Sequence, residues 1–168
     1  LLFHTLEFAI LLAAVWPAYL LIRSFKSQNH LLLVASYIFY GWWEWRYVPL
    51  LLFSTVVDYG IGRALGGAAR PAQRRMLLAV SCVANLGLLG FFKYWDFFAS
   101  TSTGVAHWLG LANVMPELHI LLPIGISFYT FQSMAYTIDV YRGHFPAWRS
   151  FSQFATYISF FPQLVAGP

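Results

Sequence analysis

Charged side chains are scarce in this sequence of 168 residues: they make up 10% of it, while 60% of the residues are hydrophobic. Soluble domains carry roughly 25% charged and about 45–50% apolar residues, so this composition excludes an ordinary water-soluble domain. Aromatic residues reach 20%, and the many Trp and Tyr side chains suit the interface between lipid and water. The sequence therefore predicts an integral membrane protein.

Cysteine and the usual signs of a catalytic centre are almost missing as well. The single Cys82 excludes an intrachain disulfide, and its apolar surroundings indicate packing. No glycine-rich phosphate loop or Gly-x-Ser-x-Gly turn occurs, and no histidine has a second ligand at metal-binding spacing, so we expect no metal and no bound cofactor. The five histidines lie in predicted loops or at the ends of predicted spans: His4, His30, His107, His119 and His144.

Long apolar runs predict the transmembrane helices, since a span needs about 20 mostly apolar residues. The predicted fold is an all-α, polytopic transmembrane helical bundle, of which this chain is an N-terminal part with about six spans. We expect further sequence at both ends, because the chain starts without Met and stops in an apolar run. The predicted spans lie near residues 6–22, 31–45, 47–62, 76–92, 120–141 and 151–167.

The second and third spans are predicted as a helical hairpin with arms of only about 15 residues. Between the arms, residues 41–49 contain three Trp, a Glu–Arg pair and Pro49, which is compatible with the first turn of the next helix. We expect an aromatic belt at this turn.

The basic residues predict the orientation. Eight of the ten Lys and Arg residues fall in the first, third and fifth predicted loops, which the positive-inside rule assigns to the cytoplasm, with both ends of the segment outside. Because these residues lie between apolar runs rather than along one stripe, we expect no nucleic-acid partner. The longest predicted loop, residues 93–117, is expected on the outer surface.

Asp58 is the ionisable residue that lies deepest in a predicted span. Intramembrane carboxylates are functional candidates, so a substrate or proton role is one interpretation. The interpretation that we favour is an interfacial carboxylate close to Arg63, because the predicted span ends near residue 62.

The segment 121–143 has polar residues on two opposite helical faces, which predicts a helix inside the bundle rather than one facing lipid. Gly125, Gln132, Tyr136 and Asp139 share one face; Ser127 is on the other. Inter-helix hydrogen bonding and a substrate channel both explain this pattern. The proline and glycine near the start of the segment favour a cavity, because freed backbone must be surrounded by protein or water there.

Two further features concern helix ends. Asp139 and Arg142 are spaced for an ion pair at the headgroups. Pro162 inside the last span, with a buried amide from Gln163 beside it, predicts a kinked or broken helix.

Several blocks of this sequence strongly resemble the membrane-bound O-acyltransferase family, and most closely its alginate-acetylating branch. They occur in the family's order and cover most of the chain: SYIFYGWW at 36–43, FKY at 92–94, LPIGISFYTFQ at 122–132, YTIDVYRG at 136–143 and FFPQLVAGP at 160–168.

The resemblance implies an O-acyltransferase of the bacterial inner membrane. It would move acetyl from a cytoplasmic donor, acetyl-CoA, toward an extracytoplasmic polysaccharide such as alginate or toward a partner acetyltransferase, with lipid around it. The family's catalytic histidine lies in a later segment, so none of the five histidines here inherits that role. The resemblance implies a tunnel or scaffold for these positions: Pro123, Gly125, Ser127, Gln132, Tyr136, Asp139, Pro162 and Gln163.

Two alternatives from other classes stay open. A transporter or channel half would explain Asp58 and the two-faced polar helix, although we find no internal repeat of the kind such proteins contain. A non-catalytic scaffold of a polysaccharide export complex would need no catalytic residue at all.

Overall fold

The computed structural model describes residues 6–68, 70–108, 123 and 125–166. Within these residues no strand occurs, which confirms the all-α prediction. A short 3-10 helix, Trp45–Tyr47, joins the second and third α-helices. The α-helices are α1 (Leu6–Leu21), α2 (Phe25–Glu44), α3 (Val48–Gly67), α4 (Pro71–Trp108), α5 (Ile126–Arg142), α6 (Phe151–Ser159) and α7 (Phe161–Ala166).

The chain turns between α2 and α3 where the sequence places the hairpin. Glu44 has an extended backbone, with φ −158° and ψ 96°, which ends α2. A Cβ added to Gly41 of α2 would lie 3.5 Å from Cγ2 of Val48, so the two helices approach each other at this turn. Trp42 and Trp45 are 73% and 71% exposed, as an aromatic belt requires.

Both arms of this hairpin are longer than predicted, because α2 and α3 have 20 residues each. At the polar start of α2, Gln28 Nε2 donates hydrogen bonds to the carbonyls of Tyr19 and Ile22, at 3.2 and 2.8 Å. These carbonyls lie at or just after the C-terminal end of α1, where backbone carbonyls lack N–H donors within the helix. The predicted arm length of about 15 residues is therefore wrong.

The prediction that a loop begins near Lys93 is wrong, because α4 continues to Trp108 as one helix of 38 residues. The Ser and Thr residues at 100–103 are of types common in loops. Instead, Thr101 Oγ1 donates to the Phe97 carbonyl at 2.8 Å and Ser102 Oγ to the Ala99 carbonyl at 2.9 Å, within the helix. The rest of the predicted loop, residues 109–117, lies outside the described residues.

The predicted break near Pro162 is confirmed. Phe160, with ψ 109°, separates the nine-residue α6 from α7, and Pro162 occupies the first turn of α7. Helix α5 starts later than predicted, at Ile126, directly after Gly125 in the left-handed region with φ 75°. Residues 120–122 and 124 of that predicted span lie outside the described part of the chain.

Two stretches are long and apolar enough to cross a membrane, Phe25–Gly67, which includes the turn after α2, and Pro71–Trp95. The main hydrophobic core lies where α3, α4, α5 and α6 meet, and it includes Leu51, Tyr129 and Phe154, none of which is exposed. A second cluster joins α1 and α2 to α7 through Phe8, Phe39 and Phe161. The bundle is thus an all-α membrane fold.

Candidate functional site

The carboxylate of Asp58 lies at the centre of a buried hydrogen-bonded cluster between α3, α4 and α5. Its side chain is 0% exposed. Oδ1 accepts hydrogen bonds from Ser81 Oγ at 2.7 Å and Asn85 Nδ2 at 2.9 Å. Oδ2 accepts from the same Asn85 amide at 2.9 Å and from the hydroxyl of Ser133. We call this group the Asp58 cluster.

The interpretation of Asp58 as an interfacial carboxylate beside Arg63 is therefore wrong. It rested on a span that ended near residue 62. Because α3 begins at Val48 and continues to Gly67, Asp58 occupies the middle of the helix, and its side chain points into the bundle.

The Asp58 cluster is built from polar residues spaced four apart on three helices, a spacing that puts both members of each pair on one helical face. Ser54 Oγ also donates to Asn85 Oδ1 at 3.5 Å, and the Ser81 hydroxyl lies 3.4 Å from Thr137 Oγ1. Sequence reasoning missed this cluster, although the spacing was visible. The pairs are Ser54 and Asp58 in α3, Ser81 and Asn85 in α4, and Ser133 and Thr137 in α5.

Every donor to the Asp58 carboxylate is a neutral hydroxyl or amide, and no cationic side chain among the described residues pairs with it. A buried polar group that finds hydrogen-bond partners on neighbouring helices stabilises their association in lipid. With four bonds to its two oxygens, the carboxylate has its acceptor capacity largely used. The chemistry visible here is inter-helix bonding.

The blocks that carry the family resemblance come together at α7. A Cβ on Gly125 would lie 3.1 Å from the carbonyl oxygen of Leu164, so the block at 122–132 contacts the block at 160–168. The backbone N–H of Phe161 donates to Ser36 Oγ at 3.2 Å, which adds the block at 36–43. Pro123 is buried and Gly125 is partly buried, and the cavity that the sequence favours here stays a prediction.

The predicted inward orientation of α5 is confirmed, and two of its predicted site residues form hydrogen bonds to other segments. Gln132 Nε2 donates to the Tyr157 carbonyl at 2.9 Å, while its Oε1 is buried without a partner among the described residues. Tyr136 Oη accepts from the backbone N–H of Trp148 at 3.1 Å. Inter-helix and helix-to-loop bonding accounts for the Gln132 amide nitrogen and the Tyr136 hydroxyl, and a role in a tunnel wall stays a prediction.

The remaining predicted positions lie nearer the surface. Asp139 is exposed, and its Oδ1 lies 3.8 Å from Nδ1 of His144, whereas no ion pair joins it to Arg142 in the described chain. Ser127 and Pro162 are partly buried. Gln163 is exposed, so the predicted buried amide is wrong: the break at residue 160 turns that side of α7 outward.

No group of three His, Cys, Asp or Glu side chains in the described part of the chain could hold a metal ion. His30, His107 and His144 are all exposed. His4 and His119 lie outside the described residues. The described histidines thus offer no buried general base.

Long apolar helices, joined by buried polar contacts, characterise this chain as part of an all-α membrane protein. No family model and no solved structure matches it. Among curated proteins, the probable alginate O-acetylase AlgI of Pseudomonas syringae pv. tomato is 45% identical over 85% of this chain. The protein of the same name from Pseudomonas aeruginosa is 44% identical over 85%. The peptidoglycan O-acetyltransferase of Helicobacter pylori is 34% identical over 82%.

This chain is similar to alginate O-acetylases over most of its own length, which confirms the resemblance that its sequence blocks indicate. It spans only 28% to 30% of the length of these three relatives.

Proposed function

We propose that this chain is the membrane-embedded scaffold segment of an O-acetyltransferase. The full-length protein would take acetyl from acetyl-CoA on the cytoplasmic side and pass it toward an extracytoplasmic polysaccharide, with alginate the first candidate, or toward a partner acetyltransferase. The printed names of the relatives support an O-acetyltransferase, and the identity to proteins named alginate O-acetylase favours alginate over peptidoglycan.

The observation that carries a scaffold role is the meeting of three resembling blocks at α7. Gly125 packs on the backbone carbonyl of Leu164, and the backbone N–H of Phe161 bonds to the hydroxyl of Ser36. These contacts depend on the backbone and on the small residues Gly125 and Ser36. The Asp58 cluster then holds α3, α4 and α5 together. This segment positions helices, and we place the reacting histidine in the part of the protein that follows it.

We further propose a multi-pass protein of the bacterial inner membrane with the turn between α3 and α4 in the cytoplasm. Four arginines lie near that turn, on the last turns of α3, in the connection and on the first turn of α4: Arg63, Arg70, Arg74 and Arg75. The positive-inside rule places such a cluster on the cytoplasmic side. An impermeant thiol reagent applied to intact spheroplasts should leave an introduced Arg70→Cys unlabelled and label it after lysis.

The activity is tested with the full-length protein in proteoliposomes, [14C]acetyl-CoA and three acceptors: alginate, peptidoglycan fragments and an unrelated neutral glucan. We expect labelled acetyl on alginate. Replacing a membrane-embedded histidine in the following segment by Ala should abolish the label, because that residue is proposed to act as the base.

Two results would contradict the proposal. Label that survives the loss of every membrane-embedded histidine would contradict a histidine base in this protein. Movement of a solute by the proteoliposomes, without acetyl on any acceptor, would favour a transporter instead.

A further inference from the structure

A cleft of about 670 Å³ opens at the ends of α3 and α5, next to the connection between α5 and α6. Among the described residues, three arginines line it, Arg63, Arg74 and Arg149, and no carboxylate does. Its other walls are glycine backbone and apolar side chains, among them Phe145 and Pro146. We call it the arginine cleft.

The three arginines differ in what they bond. Arg74 is already used: Nη1 donates to the Leu65 carbonyl at 2.6 Å, and Nη2 donates to the carbonyls of Val140 and Tyr141 at 3.2 and 2.6 Å. These carbonyls belong to the C-terminal turns of α3 and α5, whose partial negative charge would otherwise repel an anion. Arg74 therefore neutralises the two helix ends that face the cleft.

Arg63 and Arg149 are exposed, and their guanidinium groups have no ion pair or hydrogen bond with a described residue. Arg63 lies in α3 and Arg149 just before α6, and the fold brings both residues to one cleft. The backbone carbonyl of Arg149 is fixed to α3, because it accepts a hydrogen bond from Tyr59 Oη at 2.8 Å. The cleft therefore contains two guanidinium groups that bond to no described residue, one on α3 and one on a backbone that is hydrogen-bonded to α3.

We propose that the arginine cleft binds the phosphate group of a phosphorylated organic ligand through Arg63 and Arg149. The planar fork of a guanidinium matches phosphate oxygens in a bidentate way. A volume of about 670 Å³ falls in the range of sites for drug-sized ligands, about 300–1,000 Å³, and the apolar walls suit an organic body beside the phosphate.

Two sources can supply this chemistry at a membrane surface. One is a soluble diphosphate such as the coenzyme A part of the proposed acetyl donor, which rests on the proposed function. The other is the headgroup of an anionic phospholipid, which does not. The phosphate contact with the two arginines is the same in both.

The test uses the full-length protein, purified in detergent without anionic lipid. Binding of coenzyme A is measured by isothermal titration calorimetry, and retention of phosphatidylglycerol against phosphatidylcholine by native mass spectrometry. The double variant Arg63→Gln, Arg149→Gln is compared with Arg75→Gln, which removes an exposed arginine of α4 that does not line the cleft.

We expect the double variant to weaken one of the two ligands by roughly tenfold or more, as the loss of charge-assisted bonds predicts, while Arg75→Gln changes it less than about twofold. A loss confined to coenzyme A identifies the soluble source, and a loss confined to phosphatidylglycerol identifies the lipid.

Unchanged binding of both ligands, or an equal loss in Arg75→Gln, would overturn the proposal. If the double Gln variant does not fold, Arg63→Lys with Arg149→Lys keeps the charge and removes the fork; we expect about threefold weaker binding, and unchanged binding again overturns it. Binding through the cleft without acetyl transfer would contradict the proposed function only. Acetyl transfer with unaltered ligand binding in the variants would contradict only the proposal about the cleft.

Discussion

Asp58 and Arg63 are five residues apart in α3, and they belong to the Asp58 cluster and to the arginine cleft. Their charged groups have opposite environments. The carboxylate is 0% exposed and surrounded by neutral donors from two other helices. The guanidinium of Arg63 is exposed and unpaired among the described residues. The comparison suggests that polar groups near the middle of α3 join helices, and that those at its end are available to a ligand.

The largest expected effect is the loss of the acceptor in the Asp58 cluster. Asp58→Ala should lower the free energy of unfolding of the full-length protein by about 2–4 kcal/mol, because Ser81, Asn85 and Ser133 lose their buried acceptor. Unfolding in mixed micelles measures this. Val56→Ala, at a 53% exposed position of α3, is the control. A loss below about 0.5 kcal/mol would mean that the cluster does not hold the helices together.

A variant of Arg74 tests whether this arginine of the cleft is structural, unlike Arg63 and Arg149. Arg74→Met should destabilise the protein by roughly 2–3 kcal/mol, since three carbonyls at the ends of α3 and α5 lose their donor. The neighbouring Arg75→Met should have little effect on the same unfolding measurement. Equal stability of the two variants would contradict the capping role of Arg74.

Gly62 lies between the two regions and tests how closely α3 packs on α5. A Cβ there would lie 2.5 Å from Tyr136 Oη, so Gly62→Ala should cost about 1–3 kcal/mol. Gly60 has no atom within 4 Å of an added Cβ, and Gly60→Ala should stabilise the helix by up to about 1 kcal/mol. Thermal unfolding should therefore shift in opposite directions for the two variants; shifts of the same sign would contradict the packing.

The smallest expected change in stability is at Arg63. Arg63→Gln should alter the free energy of unfolding by less than about 0.5 kcal/mol, because it removes an exposed side chain that forms no ion pair or hydrogen bond with a described residue. Its effect should be visible in ligand binding instead. A clear loss of stability would show that Arg63 belongs with Arg74 as a structural residue.

Much of the architecture could be predicted from sequence because it depends on local patterns. The turn after α2 follows from Trp, Glu and Pro within an apolar run, and the break at residue 160 follows from Pro162. The length of α4 could not be predicted, since Ser and Thr are typical of loops but also bond back to the helix that contains them. Only the structure distinguishes the two.

By itself, the sequence determined the all-α membrane class, the kink near the end and the relationship to the O-acetylases, because composition, hydropathy and local motifs need no knowledge of neighbours. Tertiary structure decided what each polar residue does. The environment of Asp58 depends on Ser81, Asn85 and Ser133, which are 23 to 75 residues away in the chain. Arg63 and Arg149 likewise line one cleft only because α3 and the segment before α6 pack together. No local sequence pattern indicates that residues 63 and 149 come together.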